Sequence, residues 1–268
     1  MAITTLDQLI AGFRPPIDFL KVGATMEAAG VFHSLFYATG TPGAATAPSP
    51  GLSGAALTSY AGQLPFTNPV SGNTHVARLS AASTVAGKLV LCDRLWHNSG
   101  LAVATLTAQT LSPVAYPARD RDGGSNGTGV MFGIEVSTAT TNVGAIANTT
   151  ASYTNQAGTA GQTATISSFP ATAVAGTFVP FQLAAGDSGH RSVQSVTLGT
   201  SYAGGTIHVV AYRVILEVPL LLANVGAAVD AIAGGMPQLY NNSVPFLLWM
   251  PTATTAVTLA GSLTYAQG

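Results

Sequence analysis

The sequence predicts a mainly β protein, a β-sandwich or jelly roll of roughly ten strands with a short helical N-terminal region and an extended arm. Three observations carry that expectation. Apolar residues recur with period two from about residue 74 onward, between turns rich in Gly, Asn and Ser. The first 73 residues lack that period. Charge is scarce throughout: 7% of residues are charged and 47% hydrophobic, where soluble domains usually carry about 25% charged residues. The expected division is therefore 1–73, helical segment and arm, and 74–268, β-sandwich domain.

Taken in order, "TTLDQLIAGF" offers Thr5 as an N-cap and Leu6, Leu9 and Ile10 on one side, a short helix stopped before Pro15. "TMEAAGVFHSLFYATG" spaces Phe32, Leu35 and Phe36 as a helix would, with Gly40 at its end. Residues 40–73 are a Pro/Gly/Ser/Ala connection without period, too long for an ordinary loop, and read as an arm laid across a neighbouring molecule.

In the β region, "VMFGIEVST" places Val130, Phe132, Ile134 and Val136 on one face and points Glu135 away. "FVPFQLA" alternates through Val179, Phe181 and Leu183, and Pro180 suggests an edge. "TIHVVAYRVILEV" is apolar on both faces, as a doubly covered strand would be. "AVTLAGSLTY" alternates through Val257, Leu259, Leu263 and Tyr265. Further strands are expected near 75–80, 87–93, 100–110, 163–169, 191–198 and 245–250. "LLANVGAAVDAIAGG", with Leu222, Val225, Val229 and Ile232 aligned, reads as one inserted helix.

Several function classes lose support. A net charge of −1 gives no footprint for nucleic acid or an anionic membrane. The single cysteine, Cys92, cannot form an internal disulfide. The start "MAITTLDQLIAGFRPP" lacks the basic start and unbroken apolar run of a secretory signal, and the apolar run 214–229 is interrupted by Glu217, Pro219 and Asn224. Folding in a cytoplasm is expected. No Asp, Glu, Lys or Arg occurs from Ala28 to Ala77 or from Val136 to Gly186. A chain so poor in charge is expected to have much of its surface covered in its working state.

"YPARDRDGGSNGTGV" sets Arg119, Asp120, Arg121 and Asp122 in a row. An EF-hand loop needs glycine at its sixth position and a glutamate at its twelfth. Counted from Asp120 these are Ser125 and Met131, and from Asp122 the twelfth is Gly133, so the pattern fails. A solvated turn with cross-subunit ion pairs is the expectation. "GDSGH" surrounds Ser188 as the nucleophile of trypsin-like proteases is surrounded, with His97 and Asp120 earlier in the chain. The following glycine is replaced by His190, however, and "RLWHNSG" does not match that family's histidine segment. Asp93, His97 and Ser99 stand too close together for a triad on one strand. The five histidines, His33, His75, His97, His190 and His208, form no zinc-spaced pair. Trp96 and Trp249 read as core or interface anchors before sugar platforms. No catalytic, cofactor-binding or metal residue is assigned.

Two blocks, "TLDQLIAGFRPPIDFLKVGATMEAAGVFHSLFYATGTPGAA" and "QLYNNSVPFLLWM", resemble virion structural proteins of tailed bacteriophages, and the resemblance runs the length of the chain. It implies a particle component made in the host cytoplasm and carried on the capsid surface, a decoration or cement protein assembled as a homotrimer. Its partners would be itself and the major capsid protein or other virion proteins, with no nucleic acid, membrane or cofactor. Phe32, Phe36, Trp96, Arg119, Arg121 and Trp249 are the expected interface residues. Such a protein would bury little of residues 1–73 against its own β-domain. A tail, neck or glycan-recognising component is the alternative, expected to expose an aromatic and amide pocket. A serine hydrolase is the remote one, requiring a histidine within hydrogen-bond reach of Ser188.

Overall fold

The computed structural model describes residues 3–268. After the helix α1 (Leu6–Ala11) the described chain forms seventeen strands. The first are β1 (Ile17–Val22), β2 (Phe32–Ser34), β3 (Thr39–Thr41) and β4 (Ala55–Ala56). The long strands β5 (Thr74–Ser83) and β6 (Gly87–His97) follow, then the two-residue β7 (Gln109–Thr110). The middle of the chain holds β8 (Val130–Thr138), β9 (Ile146–Asn155), β10 (Gln162–Phe169), β11 (Thr177–Pro180) and β12 (His190–Thr197). β13 (Thr206–Leu220) is the longest. β14 (Ala227–Asp230), β15 (Gln238–Leu239), β16 (Pro245–Pro251) and β17 (Thr258–Gln267) complete the set.

These elements fall into two compact units. The first comprises Met1–Ala45, Ser59–Asp93 and Val214–Gly268, and the second Thr46–Thr58 and Arg94–Arg213. The chain passes between them four times, after Ala45, after Thr58, inside β6 and inside β13.

In the first unit one sheet has the order β14-β5-β17-β1-β3, with β15 also paired to β5. Strand β17 shows why it forms: Leu259, Leu263 and Tyr265 turn inward while Ala260, Ser262 and Thr264 face out. The inward residues, with Phe19, Val76 and Leu79, meet Leu89 and Leu91 of β6, Val218 and Leu220 of β13, and Leu247 and Trp249 of β16. Strand β16 pairs with both β6 and β2. The second unit repeats the two-layer plan. Its sheet β10-β9-β12-β7 contributes Ala151, Tyr153, Ile166, Val193 and Val196, and strands β8 and β13 contribute Phe132, Ile134, Val136, Ile207 and Val209. The mainly β, sandwich-type class expected from the periodicity is what the chain forms.

The helix α1 also follows expectation at its start: Thr5 Oγ accepts from Gln8 N–H at 3.2 Å, and Gln8 Oε1 accepts from Thr5 N–H at 3.2 Å. Only Leu9 is buried, however, while Leu6 and Ile10 face solvent. The second expected helix is absent. Met26 and Gly30 both adopt positive φ, Phe32–Ser34 forms the short strand β2, and Leu35 and Phe36 turn into the first unit, where Phe36 stacks on Tyr60 at 5.5 Å. Helical spacing here records a turn that sends Leu35 and Phe36 inward and leaves Phe32 half-buried. The expected helix within 221–235 is likewise replaced by β14, whose Ala227–Asp230 pair with Ala81–Arg78 of β5, followed by a single turn closed by Gly234 N–H on Asp230 O. An open sheet edge wins over a helix whose apolar face would have nothing to bury it. Of the strand expected over 100–110, only Gln109–Thr110 forms.

The segment 40–73 is irregular as expected, but it is laid on its own chain. Leu57 is buried with its N–H bonded to Leu95 O, and Leu64 is buried with its N–H bonded to Pro245 O. With Phe19, Leu35 and Phe36 also internal, the expectation that residues 1–73 bury little against their own chain is overturned. Leu57 and Leu64 each find a backbone partner and a core within reach, while Leu52 and Val70 stay exposed.

Leu79 is fully buried between the layers of the first unit, whereas Leu20, on the outer face of the same sheet, is 44% exposed. Leu79→Ala is expected to lower unfolding free energy by about 2–5 kcal/mol and Leu20→Ala by about 0.5 kcal/mol, both read from urea denaturation.

Candidate functional site

Four of the six residues expected at an interface are internal. Phe36, Trp96, Arg119 and Trp249 are buried within the chain, Phe32 is half-buried, and Arg121 is exposed. Phe32 lies beneath Lys88, whose ammonium is 5.4 Å from the ring centroid. Trp96 donates its indole N–H to Ser53 O at 3.1 Å.

The charged row 119–122 is only half in water. Arg119 reaches inward and donates to Leu57 O at 2.8 Å and Arg94 O at 3.1 Å. Asp120 is also buried, and its carboxylate accepts three backbone N–H groups, from Asp122 at 3.0 Å, Gly124 at 2.7 Å and Gly127 at 3.0 Å. The expected solvated turn is thus corrected to a carboxylate-centred loop, in which Arg121 and Asp122 alone remain outside. Gly127 is required by this arrangement: its φ is 76°, and a Cβ there would meet His190 O at 2.1 Å.

Arg94 stands at the middle of the second unit. Its Nη1 and Nη2 donate to Glu135 Oε1 and Oε2 at 2.8 and 2.6 Å, and both side chains are 0% exposed. Its Nε donates to His97 Nδ1 at 3.2 Å. Glu135 does point away from the Phe132 face, but into this cluster rather than into solvent. His208 completes it: Nδ1 donates to Asn98 O at 2.8 Å, and Nε2 accepts from the Ser137 hydroxyl at 2.7 Å. Asn98 Oδ1 accepts Val209 N–H at 2.7 Å. Burial, with the Arg94 and His208 charges adding to it, holds the His97 pKa down at about 2. Burial likewise lowers that of His208. Both rings are neutral at ordinary pH.

These contacts are structural in kind. Ser137 and His208 couple a hydroxyl to an imidazole, but the imidazole is oriented by a peptide carbonyl instead of a carboxylate. The "GDSGH" residues separate in the same way. His190 Nδ1 donates to Val130 O at 2.9 Å and its Nε2 takes the Tyr116 hydroxyl at 3.1 Å, so neither nitrogen serves Ser188. Asp187 accepts from Tyr153 and Asn155, and His97 and Asp120 are engaged elsewhere as described. Among the described residues no group of three His, Cys, Asp or Glu could hold a metal ion, and no helix is long and apolar enough to cross a membrane.

The open feature lies in the first unit, on the outer face of the β14-β5-β17-β1-β3 sheet, as a groove of about 540 Å³. Its cross-strand rungs follow from the register. Asp18, Ser262, Ser80 and Ala228 form one, and Leu20, Ala260 and Ala82 the next. On the other side Thr264, Arg78 and Asp230 form a third. Ser80 and Ser262 hydroxyls bond each other at 2.9 Å. No hydrogen bond or ion pair engages the Asp18 carboxylate or the Arg78 guanidinium among the described residues. Sequence reasoning did not single out this face, because its small residues carry meaning only once the register sets them side by side. The Arg94–Glu135 pair had a visible signal: charges set inside the apolar runs "LVLCDRLW" and "VMFGIEVST", Arg94 beside Asp93 in the first and Glu135 alone in the second.

No family model and no curated protein matches the chain. Among solved structures, a crystal structure of the infectious bursal disease virus VP2 subviral particle aligns at 11% identity, covering 96% of this chain and 81% of that chain, with a TM-score of 0.21. A structure of the infectious bursal disease virus Gt strain aligns at 11% identity, covering 95% and 82%, with a TM-score of 0.18. Such overlaps establish no common fold.

Two outcomes are expected from the buried groups. Glu135→Gln, which leaves Arg94 without its counter-charge, should cost about 3–5 kcal/mol in denaturant titrations, and Glu217→Gln, at a half-exposed partner of Lys88, less than about 1 kcal/mol. Stability should also fall as pH drops from about 6.5 toward 4. Burial lowers the pKa of His33 and His190 to about 4, alongside His97 and His208. The unfolded chain therefore takes up protons that the folded chain refuses, at up to about 1.4 kcal/mol per pH unit for each imidazole. Glu27, raised by burial to about 7, acts in the opposite sense as one group against four. Thermal unfolding across that pH range reads the net slope.

Proposed function

We propose that this chain is a non-enzymatic structural protein of a virus particle, and specifically a decoration or cement protein that stabilises a tailed-phage head by bridging capsid subunits as a homo-oligomer. The observation that carries the reading is where the few charges go. Lys21, Glu27, Asp93, Arg94, Arg119, Asp120, Glu135 and Arg213 are all buried, eight of the nineteen charged residues. The eleven others are spread over an exterior otherwise made of hydroxyls, amides and protruding apolar side chains, among which Val70, Val143, Leu221, Leu222 and Ile232 are all strongly exposed. A free soluble protein relies on surface charge for solubility, and exposed apolar groups mark surfaces that meet other proteins. The phage resemblance of the terminal blocks supports the same reading, with the major capsid protein as partner and the capsid surface as location. Arg121 and Phe32 are the expected interface residues that retain surface for such a contact.

The glycan-recognition alternative is less favoured, because both tryptophans are buried and the open groove is lined by Asp18, Arg78 and small Ala, Ser and Gly residues with no aromatic platform. A hydrolase is disfavoured by the His190 bonds described above. Sedimentation velocity of the purified chain, with and without empty capsids, tests the proposal. Co-sedimentation with a raised capsid melting temperature is expected. An oligomer that ignores capsids overturns the cement role.

A further inference from the structure

We propose that the outer face of the β14-β5-β17-β1-β3 sheet binds the same face of a second copy across a two-fold axis, with Asp18 of each copy opposite Arg78 of the other. The face is solvent-open and nearly flat in composition: Ala82, Ala260 and Ala228 alternate with Ser80 and Ser262, and Leu20 and Val22 stand exposed at one side. Side chains this short let a second sheet approach more closely than the usual ~10 Å between packed sheets. The sheet's inner face is filled by the first unit's core, and on the outer face α1 and the turn after β14 cover only the Ala77/Ala266 end, so the part from Arg78 to Leu20 is without a partner.

Charge complementarity identifies the occupant. The face presents one carboxylate and one guanidinium that lack hydrogen-bonded partners, Asp18 and Arg78, while Asp230 beside Arg78 directs its carboxylate to Ile232 and Ala233 N–H at 3.0 and 2.9 Å. Asp18 and Arg78 lie two strands and one rung apart, about 12 Å by sheet geometry. A two-fold axis lying in the interface, along the perpendicular bisector of that line, crosses β17 between Ser262 and Thr264. It exchanges the two charges and forms two ion pairs at once. Such an isologous contact is self-complementary by construction. Four strands and four rungs present about 500 Å² per copy, so about 1,000 Å² in total, at the lower bound for a specific interface. The contact is therefore sensitive to its charges. It does not depend on which particle the chain serves, so a failure to bind capsids leaves it standing.

Both residues are exposed, so reversing either leaves the folded core untouched. Sedimentation velocity across a concentration series should show wild-type chain associating in pairs. Asp18→Arg and Arg78→Asp should each weaken that association by at least about tenfold. An equimolar mixture of the two variants should recover it, because each now offers two like charges to the other's opposite pair, and the double variant should behave as wild type. A wild-type chain that stays monomeric, single variants that associate unchanged, or a mixture that fails to recover would each overturn the proposal.

Discussion

The Arg94–Glu135 ion pair is sealed from water on both sides, and a pair in that position constrains everything bonded to it. Removing two charges from water costs several kcal/mol each, and the cost is offset only when geometry is good and every remaining donor is engaged. The two parallel N–H···O bonds meet the first condition. The surroundings meet part of the second: His97 takes Arg94 Nε, and the Arg94 carbonyl takes Arg119, although the amide nitrogen of Asn98 is left without a partner. Arg119 in turn holds Leu57 O, which fixes part of the long connection. Its neighbour Asp120 gathers the residues up to Gly127 around one carboxylate. Order in two irregular segments thus descends from one buried pair.

The same allocation shapes the outside. In most proteins of this size charge is a surface property and the interior is apolar. Here a large share of a small charge complement is structural, so the exterior has little left to repel neighbours. Loop tips such as Leu221–Leu222 and Ile232 remain apolar and exposed. A lone monomer with that surface is poorly protected against association, while a subunit held among others is not troubled by it. The bonding of the interior and the character of the exterior are then consequences of one distribution.

How much of this could be read from residues alone follows from what periodicity can encode. Strands β8, β13 and β17 were legible because alternation reports directly which side faces a core. The start of α1 was legible because its capping bonds are local in sequence. The segments around Phe32–Phe36 and Leu222–Ile232 were not, since helical spacing of apolar residues arises equally from a turn that drops several of them into a core or leaves them at an edge. The docking of Leu57 and Leu64 has no periodic signature at all. For the buried cluster, Arg94 and Glu135 are 41 residues apart, and nothing local tells which lone charge meets which. Asp120 was misread because its partners are backbone N–H groups, which every sequence possesses.

The outer sheet face shows why a few charges matter more on such a surface than on an ordinary one. Small residues permit close approach but specify no register, and a featureless face can slide or rotate over its partner. Two isolated opposite charges remove that freedom. Placements that bring Asp18 over Asp18 or Arg78 over Arg78 are penalised, and the one exchanging them is favoured. Had the face carried many mixed charges, several registers would satisfy some of them and water would satisfy the rest. Scarcity makes each charge a determinant of orientation. Inside the second unit and on the outer face of the first, the chain uses the same economy: few charges, each placed where an apolar environment gives it influence over geometry.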